Sequence, residues 1–139
     1  MAENIALADT SVLIDYFRKT DKANSKIIHL FDQGYDFNIS VISYYEVYTG
    51  ATSHQLPFWS NFLTRIRLLP LDKNVAQVAV EINKSLKIKR KQISIADLFI
   101  AATAISNNMP LSTLNTKHFE RIEGLIILKS VGLRNVPGV

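Results

Sequence analysis

The chain has 139 residues, 47% of them hydrophobic, with 16 Lys and Arg against 12 Asp and Glu and no cysteine. That length fits a single domain with one core. The missing cysteines exclude disulfides and thiolate metal sites, and no apolar run approaches the roughly 20 residues of a membrane helix. The net charge of +4 suits a polyanionic partner.

Glu3 and Asn4 stand where a secretory signal has its basic region, and Asp9 interrupts the first apolar stretch, so a cytoplasmic protein is expected. Ile5 to Ala8 reads as a short buried strand that stops at Asp9. Ser11 to Arg18 is predicted as a helix with Ser11 as its N-cap. Over residues 22 to 34, Ala23, Ile27, Leu30 and Phe31 have helical spacing, and Gly34 is a stop. Phe37 to Val41 reads as a second strand, after which Ser43 opens a helix through Val47. Pro57 to Leu63 is helical, with Trp59, Phe62, Leu63 and Ile66 on one face. Arg67 to Leu71 is a third strand. Val75, Val78, Ala79, Ile82 and Leu86 mark an amphipathic helix. The Ala-rich stretch Ser94 to Ser106 reads as a central buried helix, ended by Pro110. Leu111 to Leu114 and Ile126 to Lys129 are the last candidate strands. No repeat or Gly/Ser linker divides the chain. Strands alternating with helices imply an α/β fold, a three-layer α/β/α sandwich with a mainly parallel central sheet.

Three acids occur in similar settings. Asp9 lies at the carboxyl end of the first strand, where parallel sheets bind ligands. Glu46 and Asp97 each follow a serine by three residues and open an apolar helix. Singly, each has a structural account. Ser43-Tyr44-Tyr45-Glu46 fits a capping box, Ser94-Ile95-Ala96-Asp97 is a looser version, and Asp9 can cap the first helix. Context adds to this. Asp97 is embedded in Ile95-Ala96 and Leu98-Phe99-Ile100, and a buried charge is costly unless paired or metal-bound. Acids at three helix starts can converge on one edge of a parallel sheet, where helix N-termini favour negative charge. A hard divalent cation, Mg²⁺ or Mn²⁺, would relieve their repulsion. That combination describes metal-assisted phosphodiester hydrolysis.

The chain resembles the PIN-domain ribonucleases, and among them the VapC-type toxins of toxin–antitoxin pairs. The resemblance rests on four blocks that run in the family's order: Leu7-Ala8-Asp9-Thr10-Ser11-Val12-Leu13-Ile14, Ser43-Tyr44-Tyr45-Glu46, Ile95 to Ala104, and Leu111 to Phe119 with the trailing Ile122-Glu123-Gly124-Leu125. It implies one PIN-like domain over residues 1–139, acting as a metal-dependent endoribonuclease. Asp9, Glu46 and Asp97 would be its catalytic acids, with Asp9 and Asp97 as ligands of Mg²⁺ or Mn²⁺. Thr10, Ser11, Thr113 and Asn115 would support the site. Many relatives carry a fourth acid near Asn115 or His118, and neither position is acidic here. The resemblance further implies an RNA substrate, a cognate antitoxin and a homodimer with contacts on the helices around Tyr48 and Trp59.

Lys87, Lys89, Arg90 and Lys91 precede the Asp97 helix, and no acid lies between Ile82 and Ala96. They read either as a solvated helix end or as a patch that tracks RNA phosphates; Lys117, Arg121 and Lys129 would extend it. A haloacid-dehalogenase-type phosphatase is disfavoured because Ser11 replaces the second acid of Asp-x-Asp. A receiver domain is disfavoured because Glu3 lies on the wrong side of the first strand. The remaining rival is a catalytically inactive PIN-like module that binds RNA or protein.

Overall fold

The computed structural model describes residues 4–128. Its sheet has four strands: β1 (Asn4–Ala8), β2 (Tyr35–Ser40), β3 (Leu68–Leu69) and β4 (Leu111–Ser112). They lie in the order β3-β2-β1-β4, and every pairing is parallel. Among the described residues six α-helices connect them, α1 (Thr10–Arg18), α2 (Lys26–Asp32), α3 (Val41–Gly50), α4 (Leu56–Leu63), α5 (Lys73–Lys89) and α6 (Ile95–Ser106), and α7 (Thr116–Phe119) follows β4. The three-layer α/β/α reading is therefore correct. Among the described residues no helix is long and apolar enough to cross a membrane.

The two helical layers follow from β1, where successive side chains face opposite sides of the sheet. Leu7 enters a core with Val75, Ala79, Ile82 and Leu86 of α5, Ile100 and Ala101 of α6, and Phe119 of α7. Ala8 enters a second core with Val12 and Leu13 of α1, Ile27 of α2, Val47 of α3, and Trp59 and Leu63 of α4. Three fully buried residues at the end of β1, Ala6, Leu7 and Ala8, fit a strand covered on both faces.

Connectivity places the site. From β1 the chain moves outward to β2 and β3, then returns across the sheet to add β4 on β1's other side. The order reverses between β1 and β4, and the carboxyl ends at such a switch point form a crevice. Asp9 follows β1 and Thr113 follows β4.

Several local expectations change. Asp9, not Ser11, is the N-cap of α1. Residues 22 to 34 split into a 3-10 turn at Lys22–Asn24 and α2, capped by Ser25; Gly34, at φ +87°, follows as the stop. Ser40 caps α3 by accepting a bond from the Ile42 amide at 2.9 Å, so the helix begins before Ser43 and the Ser43–Glu46 capping box does not form. Ser94 does cap α6, through the Asp97 amide at 3.1 Å. The last candidate strand reduces to a single parallel bridge, Leu111 to Ile127, and Lys129 lies outside the described residues.

Candidate active site

Asp9 is 2% exposed, and every hydrogen bond to its carboxylate comes from a neutral donor. Oδ1 accepts from the Ser11 amide at 2.8 Å, the Val12 amide at 3.4 Å and the Ser11 hydroxyl. Oδ2 accepts from Thr113 Oγ1 at 2.6 Å. The capping reading and the site reading of Asp9 are thus compatible: one oxygen caps α1, and the other faces the end of β4. Burial pushes its pKa above the usual carboxylate value, while the hydroxyl and amide bonds pull it back. Ser11 and Thr113 serve twice. Ser11 Oγ accepts from the Leu114 amide at 3.0 Å, and Thr113 Oγ1 accepts from the Asn115 amide at 2.9 Å. The two hydroxyls tie the loop after β4 to the first turn of α1.

Glu46 is held by a different hydroxyl. Thr10 Oγ1 lies 2.5 Å from Glu46 Oε1 and 3.0 Å from Ser43 Oγ. Its single proton goes to the carboxylate, which can only accept, so the Ser43 hydroxyl donates to Thr10. Ser43 is fully buried. Displaced from its predicted capping role, it instead braces the threonine that orients Glu46.

Asp97 stands in the first turn of α6 and is partly buried. Its Oδ2 lies 3.3 Å from His118 Nδ1 of α7. Asp9, Glu46 and Asp97 line one cleft of ≈ 680 Å³, together with Thr10, Ser11, Leu114 and Asn115. Thr113 is buried behind Asp9. The structure thus brings the seven predicted acids and supporting residues to one place. Among the described residues neither Asp9 nor Glu46 takes part in an ion pair. No group of three or more Asp, Glu, His or Cys side chains among those residues encloses a metal position by itself. An open, oxygen-only donor set of this kind fits a hard cation that keeps several waters and takes one or two carboxylates.

The basic cluster lies elsewhere. None of Lys87, Lys89, Arg90 and Lys91 lines the cleft. Arg90 is the left-handed C-cap of α5, and Lys89 pairs with Glu123 at 3.7 Å. Trp59 is 2% exposed within the second core, whereas Tyr44 and Tyr45 are exposed on α3. Ile14, Asp15, Arg18 and Lys19 also line the cleft, and the sequence reading gave them no role. The signal was present: Ser11, Asp15 and Arg18 fall at i, i+4 and i+7, one helical face.

A parallel sheet with acids gathered at its switch point is the arrangement of a PIN domain; the family model for that domain matches residues 6–125, and the chain belongs to this family. Within it the chain is similar to Ribonuclease VapC1 of Methanocaldococcus jannaschii, 36% identical over 122 residues that cover 87% of this chain and 83% of the relative. It is similar to Ribonuclease VapC of Rickettsia bellii, 35% identical over 130 residues, 88% of this chain and 93% of the relative. Among solved structures it is similar to VapBC2 from Rickettsia felis bound to a promoter DNA fragment, with a TM-score of 0.77, 26% identity and coverage of 89% of this chain and 97% of that one. A toxin–antitoxin complex from Klebsiella pneumoniae gives a TM-score of 0.72 at 28% identity, covering 91% and 98%.

Proposed function

We propose that the chain, read as one PIN domain, is an endoribonuclease that works with a divalent cation and serves as the toxin of a toxin–antitoxin pair. The observation that carries this reading is Asp9, a carboxylate 2% exposed, without an ion pair among the described residues, that lines one cleft with Glu46 and Asp97. A buried acid with that environment is poorly explained by stability alone. The ribonuclease names of its relatives give the substrate class.

Asp9 and Asp97 would hold Mg²⁺ or Mn²⁺, with the Asn115 side-chain oxygen and solvent available as further ligands. When bound, such a cation lowers the pKa of water and stabilises charge on a phosphoryl oxygen. The chain's own residues supply the rest. Glu46, fixed by Thr10, orients the attacking water and accepts its proton. Ser11 and Thr113 hold both oxygens of Asp9 in place, so that ligand needs no rearrangement when substrate arrives. His118 is positioned beside Asp97 at the cleft edge.

Partners follow from the relatives, several of which are toxin–antitoxin complexes. The antitoxin is read as a protein that blocks the acidic cleft, and a homodimer as joined through α3 near the exposed Tyr44 and Tyr45. The cytoplasm is the expected compartment. A non-catalytic RNA-binding module is the second reading, favoured by the lack of a self-sufficient acidic cage among the described residues.

The test is an RNA-cleavage assay in Mg²⁺ or Mn²⁺, in EDTA, and with Asp97→Asn. Cleavage that needs the cation and Asp97 is the expected result. Equal cleavage by the variant, or RNA binding with no cleavage of any cellular RNA, would contradict it.

A further inference from the structure

We infer that Arg18 binds an RNA phosphate beside the one that is cut, and so anchors the strand along the acidic cleft. The inference rests on the endoribonuclease reading and adds to it a residue that positions the substrate. Arg18 lines the same cleft as Asp9, Glu46 and Asp97. It lies on the face of α1 that carries Ser11 and Asp15. A helix rises about 1.5 Å per residue, so roughly 10 Å of axis separates Arg18 from Ser11, in the turn that Asp9 caps. The cation is thus set along the cleft from that acid and not beside it. The cleft holds ≈ 680 Å³, many times the roughly 30 Å³ share of a water molecule, so it has room for more than a hydrated cation.

The other charged groups that line the cleft already have partners. Asp15 pairs with Lys19 at 3.5 Å and accepts the Lys26 amide at 3.0 Å. Asp9 is held by Ser11 and Thr113, Glu46 by Thr10, and Asp97 faces His118. Arg18 is exposed, and among the described residues its side chain makes no ion pair or hydrogen bond. An arginine that served to neutralise the acids would lie within bonding distance of one of them. Nor is Arg18 needed to close α1. A cation in the last turn can serve the unpaired carbonyls of a helix, but Lys22 takes that role. Its Nζ donates to the carbonyls of Tyr16, Phe17 and Lys19 at 2.6, 2.9 and 3.0 Å. What remains is a free guanidinium on the wall of a cleft, and its planar donor fork matches the oxygens of a phosphate. RNA carries phosphates in series, so a strand with one phosphate against the acids brings a neighbour along the same wall. The Lys87–Lys91 cluster does not line this cleft.

The test is binding of the full chain to a short single-stranded oligouridylate, in Ca²⁺ and in EDTA, over a range of salt. Arg18→Gln should melt with wild type and bind about tenfold more weakly, the loss expected of one charged hydrogen bond. It should also lower the slope of log affinity against log salt by about 0.7, the share of one phosphate contact on a single strand. Arg18→Lys should keep the slope. Lys19→Gln should stay near wild type, because that ammonium is paired with Asp15. Arg18→Gln should cost the same factor in Ca²⁺ and in EDTA, since contacts to separate phosphates add. An unchanged slope in Arg18→Gln would overturn the proposal, as would an equal loss in Lys19→Gln, which marks general charge. A loss that disappears in EDTA would place Arg18 on the same phosphate as the cation and overturn it too. Binding of oligoglutamate that needs Arg18, with binding of oligouridylate that does not, would give the residue to an acidic protein segment instead. Because the readout is binding, failure of the nuclease reading appears separately, as wild-type protein whose RNA binding needs Arg18 but which cleaves no RNA.

Discussion

Thr113 Oγ1 donates to Asp9 Oδ2 at 2.6 Å across 104 residues of chain. This bond joins the ends of β1 and β4 at the point where the strand order reverses. It fixes one oxygen of the acid most deeply buried in the cleft, and the same hydroxyl accepts the Asn115 amide. The crevice that any parallel sheet of this order would have is thereby turned into a defined carboxylate position.

Thr113→Val keeps the shape and removes the hydroxyl. It leaves a buried carboxylate oxygen and a backbone amide each short of a partner, at a cost of about 1–3 kcal/mol for such a loss. Urea denaturation of the metal-free protein should show that decrease. Cleavage should fall as well, on the order of 10²-fold, if Asp9 shifts by about an ångström.

Asp9 itself makes folding depend on pH in an unusual direction. Its folded pKa lies above the ordinary value of 3.8, raised chiefly by burial. Between the two values the folded state keeps a proton that the unfolded chain has released. The stabilisation linked to Asp9 is thus fully present below 3.8 and lost as pH rises through the folded pKa. Above its folded pKa the metal-free protein bears the cost of a buried ionised acid, offset in part by the Ser11, Val12 and Thr113 hydrogen bonds. Asp9→Asn removes that cost and should melt higher than wild type in EDTA at pH 7, with the gap narrowing on acidification. Mn²⁺ should raise the melting temperature of wild type by more than that of Asp9→Asn, because the variant lacks one of the two charged ligands. A wild type more stable than Asp9→Asn in EDTA at pH 7 would refute this.

Thr10→Val tests how Glu46 is oriented. The change frees the Glu46 carboxylate at 2.5 Å and strands the buried Ser43 hydroxyl. A misaligned general base should lower kcat by roughly 10²-fold with KM little changed. Ser43→Ala should have a smaller effect, because Thr10 keeps its bond to Glu46.

Ser112 is fully buried on β4, and among the described residues its hydroxyl finds no hydrogen-bond partner. Replacing it by Ala removes an unsatisfied group and retains the strand. Ser112→Ala should be neutral or stabilising by up to about 1 kcal/mol, read by thermal melting.

What was legible in the sequence depended on local period and local chemistry. The apolar spacing of α5 and the Ala-rich run of α6 identified those helices, and a carboxylate directly after a buried strand identified Asp9. The capping box misled because Ser40 and Ser43 both precede Glu46, and the Ser-x-x-Glu pattern favours the second. In the fold β2 runs directly into α3, so Ser40 takes the cap and Ser43 turns inward. Four-residue α7 is too short to carry a period, so the approach of His118 to Asp97 had no local sign. The Thr10–Glu46 and Thr113–Asp9 bonds join residues 36 and 104 apart, and such pairings are set by sheet order.

Whether Asp9, Glu46 and Asp97 act as one site is decided by RNA cleavage in Mn²⁺ by wild type, by Asp9→Asn, Glu46→Gln and Asp97→Asn singly, and by Asp9→Asn with Asp97→Asn together. Groups that act as one site lose activity non-additively. Each single variant should therefore fall close to background, with the double variant no worse. Cleavage by any single variant at the wild-type rate, or losses that multiply in the double variant, would contradict a shared site.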